Sequence, residues 1–332
     1  AVLIGGIALG TVAARRPSAI RVAAGGSIGD AIAAARRMAG PATLAIDPGV
    51  YREKLTIDVP GLTLRATAPG VVLTYDAGAA LPGPEGRNWG TSGSATLTIR
   101  APHVTLSGLT IRNDHPYPTN PMQAVALAVQ AGGDRCRIER CRIEGYQDTL
   151  LLQATSRVSD CRIAGNIDFI FGGAAAWIER CEIVSRPLAG IGPGFIAAPS
   201  TPACQPFGLI FDRCRLTREA GVPDGSVFLG RPWRAGGNMA LLGQASFLRC
   251  WMDRHIAADG WTSMGYRDPA GERRQLTPLE ARLYEADSCG PGARAAPLRR
   301  AETRRSILMY KLLHWPIPAS RRAVASRRGG PT

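Results

Sequence analysis

Two aspartates twenty residues apart, Asp148 in GYQDTLL and Asp168 in GNIDFIFG, are the residues whose type and spacing point most directly to chemistry. Each follows a cysteine, Cys141 or Cys161, by seven positions. Two carboxylates held close together cannot both ionise cheaply, so one keeps a proton near neutral pH while the other stays charged. A pair sharing a proton in this way is suited to acid and base chemistry. On spacing alone, a structural ladder of turn aspartates fits equally well. Arg231, in LGRPW, lies 63 residues beyond Asp168, which is about three repeats. Folded back across the same face, it would hold one carboxylate ionised through a charge-assisted pair. Gln147 precedes Asp148, and Gln123 opens QAVAL one enlarged repeat earlier. Singly, each amide reads as a surface residue; together, beside a carboxylate, they supply the N–H donors of an oxyanion hole.

These residues need a repeating scaffold to bring them together. IERCRIEGYQDTLLL (138–152), VSDCRIAGNIDFIFG (158–172) and IERCEIVSR (178–186) put Cys141, Cys161 and Cys181 at intervals of twenty. The pattern returns around Cys214 and Cys250, at intervals of 33 and 36, which implies coils enlarged by loops. Short β-branched runs at this period predict an all-β parallel β-helix, with inward residues stacking from coil to coil and excursions leaving as loops. A cysteine at an inward position acts as a small hydrophobe. Cys136, Cys204 and Cys289 fall outside the pattern and remain candidates for pairing in an oxidising compartment. Residues 20–40 read as a strand, a turn and an amphipathic helix that caps the open first coil. GGSIG (25–29) matches a nucleophile-elbow pattern. It comes too early in the chain for a supporting sheet, and the four histidines lack a telling context, so Ser27 reads as a helix cap. No HExxH or paired CxxC occurs and the acids do not cluster as a calcium site, so neither a metal nor a cofactor is expected.

The 332 residues suffice for a large buried core, and 39 glycines with 25 prolines suit a turn-rich β architecture. The formal charge of +14 is uneven: the stretch from Arg294 onward carries ten basic residues against Glu302, leaving about +5 elsewhere. That basic tail, 294–332, reads as a solvated, disordered extension, and 15–293 as the functional domain. No zinc-finger or RNA-binding signature accompanies the charge, so no nucleic-acid partner is expected. Residues 1–14 are free of charge, too short to span a bilayer, and followed by Arg15 and Arg16. They read as the remaining part of a secretory signal peptide, which predicts an extracellular or periplasmic protein.

Taken together, GVYREKL (49–55), WGTSGSATL (89–97), QAVAL, GYQDTLL, GNIDFIFGGAA (165–175), LGRPW, DGWTSM (259–264) and LYEADSCGPGA (283–293) resemble the pectin methylesterases, in family order. The resemblance implies a right-handed parallel β-helix that hydrolyses methyl esters of galacturonate in pectin; separately, a monomer is expected. It implies Asp168 as nucleophile and Asp148 as the acid that protonates methoxide and later activates water. It implies Gln123 and Gln147 as oxyanion donors, Arg231 as the group orienting the nucleophile, and Thr91, Phe171, Trp233 and Met264 as sugar contacts. Beyond Ala293 the chain no longer resembles the family. Two rival functions remain: a polygalacturonase-like glycosidase, and a non-catalytic solenoid that binds acidic polysaccharide.

Overall fold

In a computed structural model, residues 18–299 are described, apart from 39 and 191. The signal-peptide reading of residues 1–14 and most of the basic tail lie outside the described residues. Strands of two to six residues, too short to stand alone, pair with their equivalents one coil away to make three parallel sheets of ten, seven and eight strands. One coil runs through Cys136–Glu139, Arg142–Glu144 and Leu150–Leu152; the next runs through Ser156–Ser159, Arg162–Gly165 and Ile170–Gly172. Arg142 pairs with Arg162, and Arg162 with Glu182, so the twenty-residue period is the length of a coil. The molecule is the parallel β-helix that the repeat predicts.

Alternation decides what faces inward. Leu64, Leu106, Ile138, Val158, Ile178, Phe211 and Phe247 are in register along the ten-stranded sheet and fully buried. Phe211 and Phe247 stack with ring centroids 4.1 Å apart. Each such side chain removed from water contributes about 1.5–3 kcal/mol, against which the ordering of the chain must be set. Cys141, Cys161, Cys181, Cys214 and Cys250 form a further buried column. The residue before each one, Arg140, Asp160, Arg180, Arg213 or Arg249, has φ between 52° and 56°. One left-handed residue thus turns the chain from the ten-stranded to the eight-stranded sheet on successive coils. Cys136, Cys204 and Cys289, the candidates for pairing, are all free thiols; Cys136 is buried in the core and the other two are exposed.

The helix Ile28–Arg36 buries Ile28, Ala31, Ile32 and Ala35 in the core beside the first strands, closing the end of the solenoid. Ser27 is its N-cap, accepting from the Asp30 N–H at 3.0 Å and donating to Glu53 at 2.9 Å. The same Glu53 carboxylate accepts from the N–H groups of Ile28 and Gly29. Ser27 is therefore structural. At the other end, Arg299 belongs to the folded unit although the sequence places it in the tail. Its side chain is 3% exposed, paired with Glu285 at 2.9 Å and bonded to the carbonyls of Ala257, Ala258 and Gly292. Among the described residues no helix is long and apolar enough to cross a membrane.

Candidate active site

The outer face of the seven-stranded sheet carries a cleft of about 450 Å³ into which all nine residues singled out in the sequence project. Asp148 and Asp168 occupy equivalent turns on adjacent coils. The Asp148 N–H donates to the Ile167 carbonyl at 3.0 Å, and the strands that follow pair Leu150 with Ile170. One inter-strand spacing, about 4.8 Å, separates their backbones. Both residues are left-handed, at φ 63° and 50°. Aspartate tolerates that region better than most side chains, and both carboxylates face the cleft. The turn below Asp148 is pinned by Thr149, whose hydroxyl donates to the carbonyls of Tyr146 or Ala164, each 3.1 Å away. Tyr146 stacks on Tyr117 at 5.0 Å and beneath the guanidinium of Arg186 at 4.8 Å.

Arg231 grips Asp168 with both arms: Nε donates to Oδ1 at 2.9 Å and Nη2 to Oδ2 at 2.7 Å. It sits two coils beyond Asp168, where the sequence interval suggested three, because loops after Ser185, Pro199 and Arg218 lengthen the intervening coils. Pro232 restricts the residue before it to extended backbone, which keeps Arg231 in sheet register, its N–H bonded to the Ala197 carbonyl. The guanidinium also lies over the Phe195 ring at 3.9 Å.

The two carboxylates are buried to similar extents yet differ electrostatically. Burial pushes Asp148 well above the usual carboxylate range, and the neighbouring Asp168 pushes it further. Burial also raises Asp168, but the hydrogen bonds and charge of Arg231 pull it back. At neutral pH this favours a protonated Asp148 beside an ionised Asp168.

Gln147 lies beside Asp148 on the same coil and Gln123 on the coil before it, the two joined by the Ala124 N–H bonded to the Gln147 carbonyl. Neither side-chain amide is engaged within the described residues, so both N–H groups remain available to the cleft. Phe171, on the strand Ile170–Gly172, packs at a tilt against Trp233, 6.0 Å between centroids. Thr91 comes from the short helix Gly90–Gly93, and Met264 from a two-stranded antiparallel excursion, Met264–Arg267 with Arg273–Leu276. The cleft is lined as well by Ser92, Leu151, Gln153 and Ala198, which the sequence reading missed. Leu151 was findable, since it stands twenty residues before Phe171 and Gln153 follows it by two. Ala198 pairs with Phe171 across a longer coil, which hides the relation. Among the described residues no cluster of side chains is suited to hold a metal ion.

An open groove along a parallel β-helix, with paired carboxylates beside free amide donors, defines a solenoid enzyme acting on a polysaccharide. The chain belongs to the pectinesterase family, whose model matches residues 21–272. It is thereby a carboxylic ester hydrolase. It is 38% identical to pectinesterase A of Dickeya chrysanthemi over 304 residues, 83% of this chain and 82% of that one. Identity to pectinesterase A of Emericella nidulans is 33% over 279 residues, covering 80% and 76%. The solved pectin methylesterase of Erwinia chrysanthemi superposes with a TM-score of 0.85 at 34% identity, covering 92% of this chain and 99% of that one. A pectin methylesterase in complex with a hexasaccharide superposes at 0.82, with 35% identity and coverage of 88% and 94%.

Proposed function

We propose that the protein hydrolyses methyl esters of galacturonate in pectin through a covalent intermediate on Asp168. The observation that carries this reading is the asymmetry of the acidic pair: Arg231 is hydrogen-bonded to Asp168 alone. An Asp168 oxygen attacks the ester carbonyl carbon, and the π pair moves to the carbonyl oxygen. Gln123 and Gln147 donate to that oxyanion. As the tetrahedral centre collapses, the C–O bond to methoxide breaks and Asp148 supplies its proton, releasing methanol. The resulting mixed anhydride is attacked by water, Asp148 takes the proton back, and Asp168 departs as carboxylate. Phe171 and Trp233 offer apolar faces to the sugar rings, with Thr91 and Met264 on the opposing excursions. The hexasaccharide complex of the related methylesterase supports a polymer lying along this groove. A wall polymer as substrate, with the charge-free opening of the chain, supports secretion to the periplasm or medium.

The test is methanol release from highly methylated pectin by the wild type and by Asp168→Ala, with reducing ends assayed in parallel. Methanol from the wild type alone, without new reducing ends, is expected. Reducing ends instead of methanol would indicate a glycosidase, and persisting activity in Asp168→Ala would remove the nucleophile assignment.

A further inference from the structure

Tyr117 belongs to the loop that leads into Gln123, yet its ring lies against the turn that carries Gln147 and Asp148. The loop runs from the strand Thr110–Asn113 to Gln123, and Pro116, Pro118 and Pro121 stiffen it by fixing their own φ. It is fastened at its base. The Asn113 side chain accepts from the His115 N–H at 2.9 Å and donates to the Val125 carbonyl at 3.0 Å, and His115 Nε2 donates to the Asn120 carbonyl at 2.7 Å. From this frame Tyr117 projects with only 3% of its surface exposed. Its ring lies flat on that of Tyr146, 5.0 Å away with 6° between the planes. Tyr146 stands immediately before Gln147 and Asp148. The Tyr117 hydroxyl bonds with the Asn166 side chain. Asn166 is fixed in turn, donating to the Pro187 carbonyl at 3.1 Å and accepting from the Ile167 N–H at 2.7 Å, while the Ile167 carbonyl accepts the Asp148 N–H at 3.0 Å. Tyr117 thus touches both turns of the acidic pair, although it is not among the residues that line the cleft. Burial raises its phenol above the ordinary value, the bond to Asn166 lowers it, and the charge of Asp148 raises it, so the two groups are electrostatic neighbours.

We propose that Tyr117 is a positioning residue for the general acid: its ring, seated on Tyr146, keeps water from the buried side of Asp148, so that the carboxyl holds its proton until methoxide leaves. The inference rests on the pectin methylesterase reading. Burial is the largest cause of the raised value of Asp148, with Asp168 second and Arg231 acting downward. Those two charges come from later coils, whereas Tyr117 comes from the coil before. Arg186, over the Tyr146 ring, is answered by Glu219 at 3.1 Å. None of these charges changes when Tyr117 is replaced, so the replacement acts through water. A carboxyl that regains water ionises more readily. An acid that must stay protonated at neutral pH needs apolar cover, and a stacked aromatic ring supplies a large area of it in a fixed place. The same loop delivers Gln123, so the cover of the acid and one oxyanion donor arrive on one rigid segment.

Methanol release from highly methylated pectin would be followed from about pH 5 to about pH 9 for the full-length wild type, Tyr117→Phe, Tyr117→Leu and Tyr117→Ala. In Tyr117→Ala the basic limb of kcat should move down by about one pH unit, lowering kcat beyond the limb roughly tenfold, with KM within about twofold. Tyr117→Leu, which fills part of the space, should move the limb by less. Tyr117→Phe, which keeps the ring, should hold the wild-type position. Thermal unfolding shows whether Tyr117→Ala folds; if it does not, Tyr117→Leu decides by the same shift. A role confined to stability would lower the unfolding temperature and leave the limb in place. That outcome, or a shift in Tyr117→Phe as large as in the smaller variants, would overturn the proposal. A wild type that released no methanol would instead overturn the proposed function. NMR titration of the Asp148 carboxyl in the wild type and Tyr117→Leu would then still decide whether Tyr117 holds that proton in place.

Discussion

The guanidinium of Arg231 is clamped between two partners, the carboxylate of Asp168 at 2.7 and 2.9 Å and the ring of Phe195 at 3.9 Å. The first contact keeps a buried carboxylate ionised, and the second fixes the plane in which the guanidinium lies. Arg231→Lys retains charge but loses the two-armed geometry, so kcat should fall by roughly 100-fold with KM little changed. Steady-state methanol assays separate the two constants.

Phe195→Leu tests the other half of the clamp. Losing a cation–π contact worth about 1 kcal/mol should lower kcat by roughly fivefold. Because Asp168 would then be held ionised less firmly, the acid side of the pH profile should move upward. A profile unchanged in position would show that Phe195 only fills space.

The acidic pair sets activity and stability against each other. Both carboxylates have raised folded-state pKa values, Asp148 the more so. Their contribution to stability is therefore fully present below the unfolded carboxylate range and is lost as pH rises through the folded values. Asp148→Asn removes the group that titrates highest and keeps its shape. Urea unfolding at pH 7 should show the variant more stable than the wild type, while methanol release is lost with the proton donor.

His255 predicts an opposite dependence at acid pH. It is fully buried, and burial depresses it from 6.5 to about 4; Asp253 and Asp224 act upward and Arg218 downward. A depressed histidine contributes stability that is complete above pH 6.5 and falls away as pH drops towards 4. The integrated loss is about 3 kcal/mol. The wild-type-minus-His255→Leu difference in unfolding free energy should therefore fall by about 3 kcal/mol as pH drops from 6.5 to 4, as read from denaturant titrations at stepped pH.

Gly172 is the clearest backbone constraint near the site. It sits at φ 125°, and a Cβ there would approach the Leu152 carbonyl oxygen to 2.0 Å. Gly172→Ala should destabilise by about 2–4 kcal/mol and lower activity by displacing the adjacent Phe171. Thermal unfolding and methanol release report the two effects.

The sequence by itself determined the solenoid, because stacking identical coils repeats inward residue types at a fixed interval: Cys141, Cys161 and Cys181 announce the coil length directly. It determined the acidic pair for the same reason, since Asp148 and Asp168 inherit the interval. It also determined that Ser27 caps a helix. Loops broke this legibility. Once coils grew beyond twenty residues, the interval no longer counted coils, and Arg231 was placed three away instead of two. Ala198 was hidden in the same manner, although it lies directly beside Phe171. Only the tertiary structure decided which carboxylate Arg231 holds and that Phe195 lies beneath it. Those are contacts between side chains on different coils, fixed by strand register and by where each loop returns the chain, and no local pattern encodes them.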